Sequence, residues 1–247
     1  MKAMILAAGL GTRLRPLTDD RPKALVKING RTLLELALTR LRSFGVREAI
    51  VNVHHFADMI VEYLKANDNF GMSVAISREE TLLDTGGGLK KAAYFFVGDS
   101  GGGSSKSAEP FFVHNVDVVS EIDLGRMARV HGETRALATL AVQERKTTRY
   151  LLFNAQGELC GRRFGSEGKP ELVRPAPQWQ ALAFCGIHVI SPRLFAMMSA
   201  EGAFSIITSY LRLAAEGEKI LAFRAEEYYW RDLGRADDLA QAARDLE

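Results

Sequence analysis

The sequence predicts an α/β fold with helices on both faces of a mixed, mainly parallel central sheet. Residues 2–8 are apolar on both faces, as expected of a strand in the middle of a parallel sheet. Strand patterns then alternate with helix patterns through residue 97, which is typical of βαβ units. A length of 247 residues suits one large domain or two small ones.

The individual elements of the first half follow from local signals. A loop rich in Gly, Arg and Pro extends to residue 22, and a short apolar run at 24–28 ends in the turn pair Asn29-Gly30. Thr32 and Glu35 have the spacing of a capping box, so a helix is predicted from there to Gly45. Further strands are predicted at 48–53, 73–77 and 111–115, helices at 57–64 and 87–96, and a mobile Gly/Ser-rich loop at 98–110.

The second half alternates less regularly. Strands are predicted at 136–143, 150–153, 183–190 and 220–225, helices at 206–216 and 236–246, and a hairpin turn at 154–157. We therefore predict one domain, 1–247, with two lobes. The first lobe covers about residues 1–120 and the second, more antiparallel, covers about residues 121–247.

The composition excludes several classes of protein. The 32 Lys and Arg residues nearly balance 30 Asp and Glu residues, which argues against a protein that coats nucleic acid. No apolar run approaches the roughly 20 residues that span a bilayer, and the apolar N-terminal run is too short for a signal peptide. Cys160 and Cys185 lack metal-site spacing. We expect a cytoplasmic protein with two reduced thiols, free of membrane and nucleic acid, either a monomer or a homodimer.

Residues 6–27 have the features of a phosphate-binding segment. Gly9 and Gly11 follow the first strand, where glycines allow main-chain N–H groups to approach phosphate oxygens. The Arg13 guanidinium can bind a triphosphate through two parallel hydrogen bonds, and the Lys23 ammonium adds a second positive charge. A Rossmann fingerprint would need a glycine at position 14, which is leucine, and a P-loop would need Gly-Lys-Ser/Thr. A tight turn with a solvated basic loop is the alternative.

Residues 6–18 and the following Arg21-Pro22-Lys23-Ala24-Leu25-Val26 closely resemble the signature of sugar-1-phosphate nucleotidyltransferases. The spacing from the glycines to Pro22-Lys23 matches as well, and the resemblance continues to Asp232. It implies a three-layer α/β/α GT-A-like (Rossmann-like) fold, with a nucleotide-binding first lobe and a sugar-phosphate-binding second lobe. Within the family, the chain looks most similar to N-acetylmuramate-1-phosphate uridylyltransferases and short mannose-1-phosphate guanylyltransferases.

The resemblance implies a specific reaction and a specific set of residues. An NTP and a sugar 1-phosphate would react with Mg²⁺ as cofactor to give a nucleotide sugar and pyrophosphate. Arg13, Lys23 and Asp117 are the implied catalytic residues. The implied nucleotide-binding residues are Leu6, Ala7, Ala8, Gly9, Gly11, Thr12, Arg13, Glu79, Thr85, Gly86, Gly87 and Asn115.

Two aspartates are the candidate metal ligands. Asp117 follows the apolar strand 111–115, and ligands bind at strand ends in α/β sheets. Asn115-Val116-Asp117 resembles the family's Asn-Gly-Asp, with valine in place of glycine. The segment 230–234 resembles a Trp-x-Asp-x-Gly element, which implies Asp232 as the second ligand. A helix cap or turn is the alternative for each aspartate.

Glu79 is the candidate for base selection. It falls where many relatives have a glutamine that hydrogen-bonds the base. A carboxylate only accepts hydrogen bonds, so it suits guanine, uracil or thymine better than cytosine. GTP, UTP or dTTP therefore fits better than CTP, and the family resemblance favours UTP or GTP among them. A solvated acidic turn is the alternative for Glu79.

The acceptor side has weaker signals. Gly186 lies in a segment resembling the strand whose glycine admits the sugar ring, but the family's Glu-Lys pair before this strand is missing. Arg174, or else Arg162 or Arg163, is the candidate for holding the sugar phosphate. Because the chain stops soon after Asp232, we expect no second catalytic domain. Alternative functions are a catalytically silent nucleotide-sugar-binding regulator, a phosphocholine cytidylyltransferase and an NAD-dependent oxidoreductase.

Overall fold

A computed structural model describes residues 1–97 and 109–246 of the chain. The predicted loop at 98–110 lies almost entirely outside the described residues. The strands are β1 (Lys2–Leu6), β2 (Lys27–Ile28), β3 (Arg31–Thr32), β4 (Glu48–Val53), β5 (Ser73–Arg78), β6 (Phe111–Asn115), β7 (Val118–Ser120), β8 (Ala138–Gln143), β9 (Arg149–Asn154), β10 (Leu159–Phe164), β11 (Glu171–Leu172), β12 (Trp179–Ile190), β13 (Ile220–Arg224) and β14 (Trp230–Asp232). The α-helices are α1 (Leu33–Ser43), α2 (Ala57–Ala66), α3 (Asp84–Lys91), α4 (Ala93–Val97), α5 (Leu124–Thr134), α6 (Leu194–Met197), α7 (Ile206–Ala215) and α8 (Ala236–Asp245).

One large mixed sheet contains strands from both halves of the chain. Its order is β11-β10-β9-β12-β6-β1-β4-β5, with β8 also paired to β12 and β13 paired to β8. The β6-β1-β4-β5 part is parallel, whereas β12 runs antiparallel to β6, β8 and β9. This mixed sheet with flanking helices confirms the predicted α/β class. The division into two lobes stays a prediction.

The central strand β1 is buried on both faces, as its apolar pattern predicts. Ala3 and Ile5 belong to one apolar core together with the buried leucines of α1, and Met4 belongs to a second core together with Tyr210 of α7. All of these side chains are fully buried, and each large one contributes about 1.5–3 kcal/mol of stability. The carboxyl end of β1 is therefore held rigidly between two packed layers.

Several predicted elements have the expected bounds. The side chain of Thr32 accepts a hydrogen bond from the Glu35 amide at 3.1 Å, which confirms the N-cap half of the capping box. The Glu35 carboxylate accepts from Arg31 at 2.7 Å instead of from the Thr32 amide. Strands β4 and β6 begin and end at the predicted residues. Among the described residues, none of the helices combines the length and the apolar character that a bilayer crossing requires.

Other elements differ from the prediction. The helix predicted at 87–96 is divided into α3 and α4, and α3 begins earlier because the amide of Gly86 donates to the carbonyl of Phe204 at 2.8 Å. The sequence pattern also misses α5, β7, β10 and β14. Strands β7 and β14 have three residues each and pair with one another, so their existence depends on a tertiary contact.

Candidate active site

The carboxyl ends of β1 and β6 open into a cleft of about 530 Å³. In open α/β sheets this is the edge at which ligands bind. The structure places twelve of the predicted site residues along this cleft: Leu6, Ala7, Ala8, Gly9, Gly11, Thr12, Arg13, Lys23, Glu79, Thr85, Asn115 and Asp117.

The two predicted metal ligands lie at one end of a pair of short strands. Asp117 precedes β7, and Asp232 ends β14, where it is paired with Val118 of β7. The amide of Leu233 donates to the main-chain carbonyl of Asp117 at 2.8 Å, which holds the two segments together. Burial, together with the neighbouring Asp117 carboxylate, raises the pKa of Asp232 above its usual range. The strand pairing and the hydrogen bond from Leu233 therefore bring the two carboxylates into the same region.

Two cations face this pair of carboxylates. The ammonium of Lys23, which is only 8% exposed, forms an ion pair with Asp117. The guanidinium of Arg13 lies beside Asp232: a Cβ added to Gly234 would come 2.9 Å from Arg13 Nη2 and 2.7 Å from Asp232 Oδ1. A side chain at position 234 would therefore force the ends of Arg13 and Asp232 to shift. Lys23 and Arg13 both counteract the rise in the pKa of Asp232.

The donor set fits Mg²⁺. This cation commonly uses one or two protein carboxylates and completes its octahedron with water and substrate phosphates. Asp117 lines the cleft and Asp232 lines the adjoining cavity, and the pairing of β7 with β14 brings the two carboxylates together near the glycine-rich segment 6–13. Within the described ranges, no group of three or more His, Cys, Asp or Glu residues could enclose a metal ion. The arrangement therefore suits a cation that is shared with a substrate.

A buried network that sequence reasoning missed connects two walls of the cleft. Asn52 of β4 accepts a hydrogen bond from the Ala7 amide at 2.8 Å and donates to Glu79 Oε1 at 2.6 Å. Glu79 Oε2 accepts from the Leu83 amide at 2.9 Å, and Glu79 is only 5% exposed. The available signal was a polar residue inside the apolar strand 48–53. These contacts favour an anchoring role for Glu79, while direct base reading by its carboxylate stays a prediction.

Glu79→Gln distinguishes the two roles. As an anchor, Glu79 cannot be replaced without leaving the Asn52 or Leu83 donor poorly paired, so we expect a loss of about 1–3 kcal/mol in the free energy of unfolding. The preference among nucleoside triphosphates should stay the same. Urea unfolding and turnover with each NTP would measure both effects. The exposed neighbour variant Glu80→Gln is the control, and a changed base preference with unchanged stability would support base reading instead.

The structure corrects the prediction for Gly86 and Gly87. Their amides point to the carbonyl of Phe204, at 2.8 and 3.3 Å. A Cβ on Gly87 would lie 2.2 Å from the carbonyl oxygen of Gly202, so the chain packs tightly on this side. These amides are therefore occupied within the protein and cannot read a base edge. Thr85, by contrast, lines the cleft.

Gly186 lies beside the cleft, at a shift in the register of β12. Its φ of +73° is in the left-handed region that favours glycine. A Cβ at this position would come 2.8 Å from Asn115 Nδ2, which belongs to a cleft-lining residue. The structure thus places Gly186 next to the end of β6, and its predicted role in admitting the sugar ring stays a prediction.

Arg174 does not lie at the site, and its predicted role in holding the sugar phosphate is wrong. Its guanidinium donates to Ala214 O at 3.0 Å, to Glu158 Oε2 at 2.8 Å and to Glu218 O at 2.7 Å. Its three nitrogens are all engaged by these groups, which come from distant parts of the chain. Arg174 therefore ties the C-terminal end of α7 to the start of β10, and it lines neither this cleft nor the neighbouring groove.

Arg174→Gln should consequently reduce stability and leave acceptor binding unchanged. Removing a charged donor from partly buried partners costs about 1–3 kcal/mol. Chemical unfolding would measure the stability, and the KM for the sugar phosphate would measure the binding. Arg78→Gln, which removes an exposed ion pair with Asp58, is the matched control. A selective rise in acceptor KM without loss of stability would restore the original assignment.

A second cavity adjoins the cleft. It has a volume of about 1370 Å³ and shares Arg13 with the cleft, and its lining includes Asp232. We call it the basic groove, because its lining includes Arg13, Arg145, Lys146, Arg149, Arg162, Arg163, Arg231 and Arg235. The two alternative candidates for phosphate binding, Arg162 and Arg163, both lie here.

The fold and the predicted site residues along the cleft can be compared with known proteins. The sequence model of the nucleotidyl transferase family matches residues 2–247. The chain belongs to this family, which confirms the family predicted from the signature in residues 6–26.

Curated relatives have related activities in their names. N-acetylmuramate α-1-phosphate uridylyltransferase of Caulobacter vibrioides is 35% identical over 239 residues, which cover 94% of this chain and 91% of that protein. Mannose-1-phosphate guanyltransferase of Yarrowia lipolytica is 28% identical over 241 residues. That match covers 96% of this chain but only 62% of the longer relative.

Solved structures show the same fold. UDP-glucose pyrophosphorylase, in a crystal structure with UDP-glucose, matches with a TM-score of 0.76 and 19% identity. The match covers 99% of this chain and 97% of that one. This likeness confirms the predicted GT-A-like, Rossmann-like architecture.

Proposed function

We propose that this enzyme transfers a nucleoside monophosphate from UTP or GTP to a sugar 1-phosphate, giving a nucleotide sugar and pyrophosphate. The observation that carries the proposal is the meeting of Asp117 and Asp232 with Lys23 and Arg13 at the mouth of the cleft. The names of the curated relatives support the same reaction.

The proposed reaction needs no general base from the protein. A phosphate monoester has a second pKa of about 6, so the attacking oxygen of the acceptor is already largely ionised near neutral pH. Catalysis then depends on in-line positioning and on neutralising charge at the α-phosphorus. Lys23 and Arg13 stabilise the charge of the triphosphate and of the leaving pyrophosphate. The loop at 6–13 positions the nucleotide with its main-chain amides.

Mg²⁺ is the proposed cofactor, with Asp117 and Asp232 as its ligands. When bound, it would neutralise charge on the phosphates and help to orient them. We further propose a cytoplasmic location and a role in making nucleotide sugars for the cell envelope. The Caulobacter relative, whose name gives N-acetylmuramate 1-phosphate as the acceptor, supports this proposal. The protein would act as a monomer or homodimer, with nucleotide and acceptor bound in separate lobes.

The experiment is a matrix of the four NTPs and dTTP against neutral and acidic sugar 1-phosphates, read by pyrophosphate release with Mg²⁺. We expect release with UTP or GTP, little with CTP, and none after chelation with EDTA. Binding of nucleotide sugars without any turnover would instead support a silent regulator. The same matrix with phosphocholine tests the cytidylyltransferase alternative.

A further inference from the structure

Asn52 is a polar side chain inside a buried strand. It belongs to β4 and is only 3% exposed, and the valines on either side of it are fully buried. Asparagine is unfavourable in a strand, and a buried amide is costly unless its hydrogen bonds are made. Asn52 makes two, since its Oδ1 accepts from the Ala7 amide and its Nδ2 donates to Glu79 Oε1. Its burial therefore depends on these two contacts.

The contact with Ala7 lies where β1 leaves the sheet. Leu6 is the last residue of β1 and is paired with Asn52 in the parallel register. The next amide, that of Ala7, donates to the side chain of Asn52. The Leu6 carbonyl accepts from the Val116 amide, which follows β6, at 3.1 Å. The chain is thus held on both sides at residues 6–7, directly before the glycine-rich segment.

The amides that follow Ala7 are available to a ligand. Residues 8–11 line the cleft, and among the described residues none of their main-chain amides donates to a protein group. Free amides in a glycine-containing turn are suited to binding phosphate oxygens. Ala7 is the last residue before them that the protein holds by its amide, so the position of Ala7 sets where they begin.

The contact with Glu79 joins a second cleft-lining segment to the same side chain. Glu79 follows β5, its own amide donates to the Val53 carbonyl at 2.8 Å, and its Oε2 accepts from the Leu83 amide at 2.9 Å. A main-chain amide can only donate a hydrogen bond, and a carboxylate can only accept one. The Asn52 side chain therefore satisfies both partners in one orientation only.

Gly88 of α3 leaves the space that this pair needs. A Cβ at position 88 would lie 2.6 Å from Glu79 Oε1 and 2.8 Å from Asn52 Nδ2. These two atoms form one hydrogen bond, so a side chain at this position would separate them. A third element of the fold is therefore packed closely against the contact.

We propose that Asn52 is a positioning residue for the nucleoside triphosphate. By holding Ala7 and Glu79 together, it fixes the glycine-rich segment relative to the segment after β5 before the nucleotide binds. A site that is ordered in advance loses less conformational entropy on binding, so its affinity for the nucleotide is higher. The inference rests on the proposed function and adds a residue on which the KM for the nucleotide depends.

Exchanging the two polar groups tests the proposal. Asn52→Asp alone places two carboxylates against each other, and Glu79→Gln alone places an N–H group against the donor of Asn52 or Leu83. In each variant the KM for the NTP should rise about 10-fold, the effect of roughly one hydrogen bond, whereas the KM for the sugar 1-phosphate should change less than about 2-fold.

The double variant Asn52→Asp/Glu79→Gln allows every contact to form again. The carboxylate at position 52 accepts from the Ala7 amide and from the new side-chain amide at position 79. The oxygen of that side-chain amide then accepts from Leu83. The KM for the NTP should therefore return to about the wild-type value.

Asn154→Asp is the matched control. Asn154 has the same kind of contacts in a hairpin turn, because its Oδ1 accepts from the Glu158 amide at 2.8 Å and its Nδ2 donates to Glu158 Oε2 at 3.4 Å. It does not line the cleft, so the nucleotide KM of this variant should equal that of wild type. Gly88→Ala separates Asn52 from Glu79 without changing either residue, and it should raise the nucleotide KM as Asn52→Asp does.

A purely structural role has a different signature. Loss of folded enzyme lowers the apparent kcat and leaves the KM for the NTP as it is in wild type. That result in Asn52→Asp, or a double variant with the same KM as the single variants, would overturn the proposal. If Asn52→Asp does not fold, Gly88→Ala decides, since a raised nucleotide KM supports the proposal and an unchanged one overturns it.

Failure of the proposed function can be distinguished from failure of this inference. In that case the wild type would release no pyrophosphate from any NTP. Isothermal titration calorimetry with UTP and GTP in the presence of Mg²⁺ would then decide the inference. Binding that is about 10-fold weaker in Asn52→Asp and restored in the double variant supports it. Equal binding by wild type and Asn52→Asp, or no binding by wild type, overturns it.

Discussion

Asp117→Asn is expected to lower kcat/KM by about 1,000-fold or more and to leave the fold intact. Losing one of the two carboxylates weakens the binding of a cation that would stabilise the transition state by several kcal/mol. Each loss of about 1.4 kcal/mol lowers the rate tenfold. The fold should persist because the contact between β7 and the segment after β14 uses the main-chain carbonyl of Asp117. Pyrophosphate release over a range of Mg²⁺ concentrations, together with circular dichroism, measures both effects.

The matched control for this variant is Asp58→Asn. Asp58 is an exposed carboxylate whose ion-pair partner, Arg78, also lies at the surface, so its loss should leave turnover unchanged. Normal turnover of Asp117→Asn at low Mg²⁺ would show that the metal assignment is wrong. Loss of the circular dichroism signal would show that Asp117 has a structural role. Metal binding would then be tested with Asp232→Asn.

Acidification below pH 6.5 is expected to destabilise the protein strongly. Burial lowers the pKa of His114 and His131 to about 4 and that of His188 to about 3. An unfolded histidine binds its proton near pH 6.5, so between that pH and about 4 the unfolded chain holds more protons than the folded one. The free energy of unfolding therefore has its full value above pH 6.5. As the pH falls from 6.5 towards 4, it decreases by about 1.4 kcal/mol per pH unit for each of these histidines. The raised pKa of Asp232 acts in the opposite direction, at a single site.

Urea unfolding at pH 7.5, 6.5, 5.5 and 5.0 measures this slope. His131→Gln should reduce the slope by about a third, because it removes one of three similar titrations. Its side chain can still hydrogen-bond Thr139, which His131 contacts at 2.9 Å. His55→Gln changes an exposed histidine and should leave the slope as it is in wild type. A free energy of unfolding that is independent of pH in this range would contradict the prediction.

Local signals in the sequence were sufficient to predict much of the fold and the glycine-rich segment that lines one side of the cleft. The capping pair Thr32 and Glu35, the apolar strands 48–53 and 111–115, and the glycines and cations of residues 6–23 depend on neighbours a few residues away. Their conformation follows from turn chemistry, periodicity and burial, which can be read along the chain. The family signature in the same segment is also a local pattern.

The remaining features required the tertiary structure, because they depend on groups far apart in the chain. The pairing of β7 with β14 brings Asp232 beside Asp117, although neither three-residue strand has a pattern of its own. The hydrogen-bond partners of Arg174 come from positions 158, 214 and 218. The sequence alone could therefore not show that its guanidinium is occupied by groups of the protein. Likewise, only the tertiary structure shows that Arg162 donates to Glu171 at 2.7 Å, whereas the adjacent Arg163 lies against the rings of Tyr150 and Trp179. The sequence alone determined which chemical groups were available, whereas long-range packing decided which of them meet.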